Sequence, residues 1–168
     1  ADLAMYAAKS GGRNRVSCFE QQLKEQAEER LASEAALRNA LEHDELCAYF
    51  QPVVDLVTGA AVGAEALVRW RRPDGTIVTP AGFLPIAEET GLMVDVGAVV
   101  LDQACREVSR WSQLWPDRRL RVSVNLSARE LRHEHLIDRV ADALDRYALD
   151  PRLLVLEVTE VSMIADDA

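Results

Sequence analysis

The sequence contains no CxxC pair, no GxGxxG stretch, no Walker A loop and no apolar run close to the length of a membrane span. Each absence removes a class of function. Without the glycine-rich loops, the usual cradles for nucleotide phosphates are missing. The three cysteines, Cys18, Cys47 and Cys105, are odd in number and show no metal-ligand spacing. With no signal peptide in view, they fit a reducing, cytoplasmic setting. Basic residues are outnumbered, 19 Lys and Arg against 28 Asp and Glu, for a net charge of -9. A general binder of nucleic-acid polymers needs clustered Lys and Arg, so none is expected, and no membrane contact is expected either. No Ser-His-Asp or Cys-His arrangement is visible. His43, His133 and His135 lie on charged stretches and read as solvated. There is no initiator Met, the first residues start inside a helical pattern, and the last stop just after a strand-like run. A piece of a longer chain is expected.

What is present is enough apolar residue, 49%, for a real core. Residues 2–9 read as the tail of a helix, stopped by Gly11 and Gly12. From about 19 to 43 glycine disappears and Glu, Gln, Lys, Arg, Ala and Leu dominate. Leu23, Ala27, Leu31, Leu37 and Leu41 roughly follow one helical face, so a solvated connecting helix is expected. After residue 44 strands and helices alternate. "LCAYFQPVVDL" and residues 62–70 read as strands, and "RRPDGTIVTP" as a loop or small hairpin. "AGFLPIAEETG" reads as a short helix closed by Gly91. Residues 94–114 read as a longer helix, with Val96, Val99, Val100, Ala104, Val108 and Trp111 on one face. "LRVSVN" is a strand, and Ser127 with Glu130 forms a capping box that starts the next helix. That helix is expected to turn Leu131, Leu136, Ile137, Val140 and Leu144 inward. "LLVLEVT" is a last buried strand. Such alternation implies parallel pairing and an α/β fold, and the near-continuous apolar runs suggest a sheet covered on both faces.

Three of these strands stay apolar until an oxygen-bearing side chain appears late: Glu65 in "AVGAEALVRW", Asn125 in "LRVSVNLS" and Glu157 in "LLVLEVTE". Parallel strands of an α/β barrel aim their C-terminal ends at one face, where active sites gather. Two carboxylates and an amide oxygen meeting there would suit a hard cation such as Mg2+ or Mn2+. Each residue also has a plain structural reading. Glu65 and Glu157 could be hydrogen-bonded strand-end carboxylates, Asn125 could start a turn, and Arg69 could be a surface residue. Spacing alone leaves both readings open.

The order of motifs goes further. "QP" at 51–52, "EALVRW" at 65–70, "FLPIAEETG" at 83–91, "VNLS" at 124–127 and "LEVTE" at 156–160 closely resemble the EAL domain, a family that hydrolyses the bacterial messenger cyclic di-GMP. The resemblance runs from about residue 38 to 168. It implies a (β/α)8 TIM-like barrel with one antiparallel strand and substrate over its C-terminal mouth. By that resemblance Glu65, Asn125 and Glu157 match metal ligands, with Mg2+ or Mn2+ as cofactor. Leu67 and Arg69 match positions that hold the phosphate, Gln51 and Pro85 match positions lining the nucleotide pocket, and Glu160 looks like a support behind the metal ligands. The implied reaction opens cyclic di-GMP to linear pGpG by metal-assisted attack of water.

"ADLAMYAAKSGGRNRV" resembles the close of a GGDEF (diguanylate cyclase) domain. The implied organisation is a GGDEF tail at 1–16, a connector helix at 17–43 and the first half of an EAL barrel at 44–168. An EAL domain needs about 240 residues, roughly the barrel norm. The paired-Asp motif, catalytic Lys and further acidic ligands of the family would lie past residue 168. The chain alone is therefore expected to be inactive, and to form a homodimer or associate through its open sheet edge. Two other functions stay open: a degenerate EAL domain that binds cyclic di-GMP or docks a protein without turnover, and a mainly structural role for the connector helix.

Overall fold

The computed structural model describes residues 15–158. Helix α1 (Arg15–Glu42) leads into strand β1 (Leu46–Val54), then β2 (Ala61–Arg71) and the two-residue β3 (Ile77–Val78). A 3-10 turn at Pro80–Gly82 precedes α2 (Leu84–Thr90) and α3 (Met93–Leu114). Strand β4 (Arg121–Leu126) follows, then α4 (Ala128–Leu131), α5 (Leu136–Arg146), a second 3-10 turn (Pro151–Leu153) and β5 (Leu154–Val158). None of these helices is long and apolar enough to cross a membrane.

The strands form one mixed sheet in the order β1-β2-β4-β5, with β3 on the edge of β2 that also carries β4. β2, β4 and β5 pair in parallel, and helices make the crossovers that parallel pairing requires. β1 is the exception, antiparallel to β2 from Leu46 opposite Trp70 to Val54 opposite Ala61. A short turn closes that pair: the Asp55 carboxylate accepts from the Val57 and Thr58 N–H groups at 3.0 and 2.7 Å. "RRPDGTIVTP" is a small hairpin, with Gly75 at φ 86° in the left-handed region that its tight turn demands. Gly91, at φ 83°, ends α2 for the same reason.

Burial alternates along the strands. On β2, Ala64, Ala66, Val68 and Trp70 are buried while Glu65, Leu67 and Arg69 between them are not. On β4, Val122, Val124 and Leu126 are buried on either side of Ser123 and Asn125. The buried face carries the helices. α3 supplies Val96, Val100, Ala104 and Val108 to the core, and Val99 and Trp111 pack at its margin. This is the face its 3.6-residue period marks. Phe83, entering α2, is fully buried and meets Trp70 edge-on at 6.0 Å.

Three sequence expectations need correction. The apolar runs suggested a sheet covered on both faces, but burial alternates along β2 and β4, so one face is buried and the other only partly so or exposed. The connecting helix was expected to be solvated along its length. Leu23 and Leu31 are exposed, yet Leu37 and Ala40 are fully buried, so the last two turns of α1 belong to the core. The helix expected from Ser127 through Leu144 is two helices, with Leu131 and Ile137 44% and 80% exposed instead of inward. The break falls where His133 Nδ1 lies 3.3 Å from the His135 N–H, a local acceptor that competes with the helical ladder. No glycine or proline marks the place. His135 also lies 3.4 Å from Glu134 and 3.7 Å from Asp138, on the surface.

Candidate active site

Period-2 alternation puts Glu65, Leu67 and Arg69 on the face of β2 away from the helices. Parallel register carries the same face across the sheet. Glu65 pairs with Ser123, and Asn125, two residues on, pairs with Glu157 on β5. Antiparallel register sets Gln51 of β1 opposite Glu65 and Tyr49 opposite Leu67. Three strands thus bring Glu65, Asn125 and Glu157 to neighbouring positions near the C-terminal ends of β4 and β5. Two of the three are in contact: Asn125 Nδ2 donates to Glu65 Oε1 at 2.7 Å.

Every donor in this set is an oxygen or can become one. Asn125 presents nitrogen to Glu65 here, and a half-turn of its amide would present oxygen. The chemistry fits a hard divalent cation. Among the described residues no group of three or more His, Cys, Asp and Glu is placed to hold a metal. Two carboxylates and an amide fall below that count.

Arg69 Nη1 donates to the Val68 carbonyl at 2.7 Å, and its guanidinium lies 5.8 Å from the Tyr49 ring centre. Pro85 occupies the first turn of α2, where a missing N–H costs nothing. Leu67 and Asn125 line a cavity of about 280 Å3 with Leu84 and Glu88 of α2, Gly97 of α3 and Glu130 of α4. Gln51, Glu65, Arg69, Pro85 and Glu157 do not line it. Glu160 lies outside the described residues.

Directly after Asn125 the chain turns into α4 through a complete capping box. Glu130 N–H donates to Ser127 Oγ at 3.3 Å, and Glu130 Oε2 accepts from the Ser127 N–H and hydroxyl at 2.9 and 2.6 Å. Glu130 is only 4% exposed. Burial pushes its carboxyl above the ordinary range, while the Ser127 hydrogen bonds and nearby Arg139 pull the other way. The sequence marked Glu130 as a cap, but nothing in it told that the carboxylate is buried. Tyr49 beside Arg69 was also missed. The signal was available, since period-2 counting on β1 puts Tyr49 and Gln51 on one face.

The EAL domain family matches residues 34–168. The chain belongs to that family. Over 99% of its length it is 44% identical to the bifunctional diguanylate cyclase/cyclic di-GMP phosphodiesterase MucR of Pseudomonas aeruginosa, spanning 24% of that protein. It is 38% identical to the cyclic di-GMP phosphodiesterase NbdA of the same organism, over 98% of the chain and 21% of NbdA. Among solved structures it resembles the P. aeruginosa MucR phosphodiesterase in complex with c-di-GMP, at TM-score 0.75 and 42% identity. That match covers 80% of this chain and 54% of the other. It also resembles the P. aeruginosa FimX EAL domain bound to c-di-GMP, at TM-score 0.67 and 28% identity, over 77% and 51% of the two chains. The EAL fold is TIM-barrel-like, and this chain covers part of it: about half of each of these two solved EAL chains, and 24% and 21% of the curated relatives MucR and NbdA.

Proposed function

We propose that this chain carries the first half of a metal-dependent active site that hydrolyses cyclic di-GMP to linear pGpG. The observation that supports it most is the Asn125–Glu65 contact at 2.7 Å, made across two parallel strands with Glu157 in register beside it. Two carboxylates facing a phosphodiester would repel it. A divalent cation between them reverses the sign of that interaction. Glu65, Asn125 and Glu157 would hold Mg2+ or Mn2+, which when bound supplies a Lewis acid that polarises a phosphoryl oxygen and activates water. Arg69 turns from the Val68 carbonyl to grip a phosphate, and Leu67 shapes the floor beneath it. Gln51 and Pro85 flank the nucleotide.

The activities of MucR and NbdA support the substrate, and on the resemblance of their sequence, residues 1–16 are read as the end of a GGDEF domain, followed by the connector at 17–43. The test is turnover of cyclic di-GMP by the full-length protein with Mg2+ or Mn2+, followed by chromatography. Linear pGpG is expected, and Glu65→Gln should abolish it. Undiminished turnover by that variant would overturn the metal assignment. Tight binding without turnover would make the domain a receptor.

The isolated 168-residue chain is a separate case. It spans 54% of the solved MucR phosphodiesterase chain, and among the described residues β1 and β5 are the outer strands of its sheet. We expect no turnover from it, and association through those edges. Sustained pGpG formation would refute the first expectation, and a monodisperse monomer in light scattering the second.

A further inference from the structure

Gly97 and Glu130 touch in a way that leaves no room for a side chain on α3. A methyl group at Gly97 would overlap Glu130 Oε1. The carboxylate cannot swing aside easily, because its other oxygen is held by both the N–H and the hydroxyl of Ser127. Arg139 of α5 reaches the same region. Its Nη1 donates to the Val94 carbonyl at 3.0 Å, and its Nε and Nη2 are buried with no hydrogen-bond partner. Glu130 and Arg139 attract one another across this space. Ser127 is two residues past Asn125, and β4 ends between them at Leu126. The cap therefore fixes the chain where the Asn125 side chain leaves the sheet.

From this geometry we infer that Glu130 is a positioning residue for Asn125, acting through Ser127 and backed by Gly97. This rests on the reading of Asn125 as a metal ligand. Buried support of this kind behind a ligand typically changes metal affinity by about 10–100-fold when removed. A helix cap that served stability alone would leave affinity unchanged in the folded protein. Gln at 130 keeps an oxygen that accepts both Ser127 bonds, whereas Ala keeps neither.

The experiment uses the full-length protein with two readouts. The first is metal-free: the Asn125 side-chain amide protons by NMR, which report the bond to Glu65. The second is Mn2+ affinity by titration. Glu130→Ala and Ser127→Ala should both release the Asn125 amide and weaken Mn2+ binding about tenfold or more. Glu130→Gln should restore both signals. Gly97→Ala should behave like Glu130→Ala, by displacing the carboxylate. Val108→Ala, a core truncation, supplies the control for lost stability and should move neither readout. If Ser127→Ala and Glu130→Ala, folded, keep the Asn125 signal and the wild-type affinity, the inference is overturned. If the wild-type protein fails to bind Mn2+, the proposed function falls. The metal-free Asn125 signal then still decides whether Glu130 positions that side chain.

Discussion

Neighbours on β2 have opposite surroundings. Val68 and Trp70 point into the core, and Trp70 Nε1 donates to Glu45 at 2.8 Å. Leu67 and Arg69, alternating with them, turn to the other face and are only partly buried. The covered face is built from shape: Phe83, Val96, Val108, Val122 and Val124 are all but inaccessible. The open face is built from position: a carboxylate, an amide and a guanidinium held at fixed register by strands whose stability comes from the other side. Stability and chemistry are thus separated by one residue along the chain. Substitutions on the two faces should fail in different ways.

The largest effect belongs to the covered face. Phe83→Ala removes a fully buried ring and its edge contact with Trp70, and should cost about 3–5 kcal/mol in urea denaturation. A loss below about 1 kcal/mol would mean that the site had collapsed around the gap, and that this core is less closely packed than described.

On the open face the expected pattern inverts. Asn125→Ala removes one exposed hydrogen bond, so stability should change by no more than about 1 kcal/mol. Mn2+ affinity in the full-length protein should fall by about 100-fold or more, exceeding the loss typical of a supporting residue. Equal losses of stability and affinity would erase the distinction between the faces. Arg69→Lys is a gentler probe. Lysine keeps the charge but loses the planar fork that grips a phosphate, so cyclic di-GMP binding should weaken about tenfold, or roughly 1.4 kcal/mol, with the melting temperature unmoved. Calorimetric titration reads the first and a thermal scan the second.

The covered face was the more legible of the two. Helical period on α3 was enough to place its share of the core, because burial follows periodicity directly, whereas the strands read as near-continuous apolar runs and the alternating burial around Glu65 was not foreseen. The polar residues of the open face were visible as exceptions within apolar strands, but only the ordered EAL motifs gave them roles. What stayed hidden was local competition and long-range burial. The break between α4 and α5 falls where an imidazole meets a backbone N–H. The burial of Leu37 depends on where α1 docks, and that of Glu130 on the absence of a side chain at Gly97. None of these has a periodic signature. The antiparallel course of β1 was hidden from periodicity too, since a strand alternates identically in either direction.

The smallest effect tests whether the entry to β5, which carries Glu157, is locally fixed. Asp150 caps the turn at Pro151–Leu153, accepting from the Arg152 backbone N–H at 3.0 Å and from its guanidinium at 2.9 and 2.7 Å. The Arg152 side chain, then its backbone N–H, lowers the Asp150 carboxyl from 3.8 to about 2. A carboxyl depressed in the folded state stabilises above its unfolded value, and that contribution is lost as pH falls through the folded one. The window is therefore between about pH 4 and pH 2. Asp150→Asn cannot titrate there. Its stability deficit relative to wild type should be constant above pH 5 and shrink as pH falls through the window. A deficit that stays constant down to pH 2 would show that Asp150 acts as a neutral cap and not as an ion pair. Because the pair is exposed, the change should be small, and urea midpoints at closely spaced pH values are the measurement that resolves it.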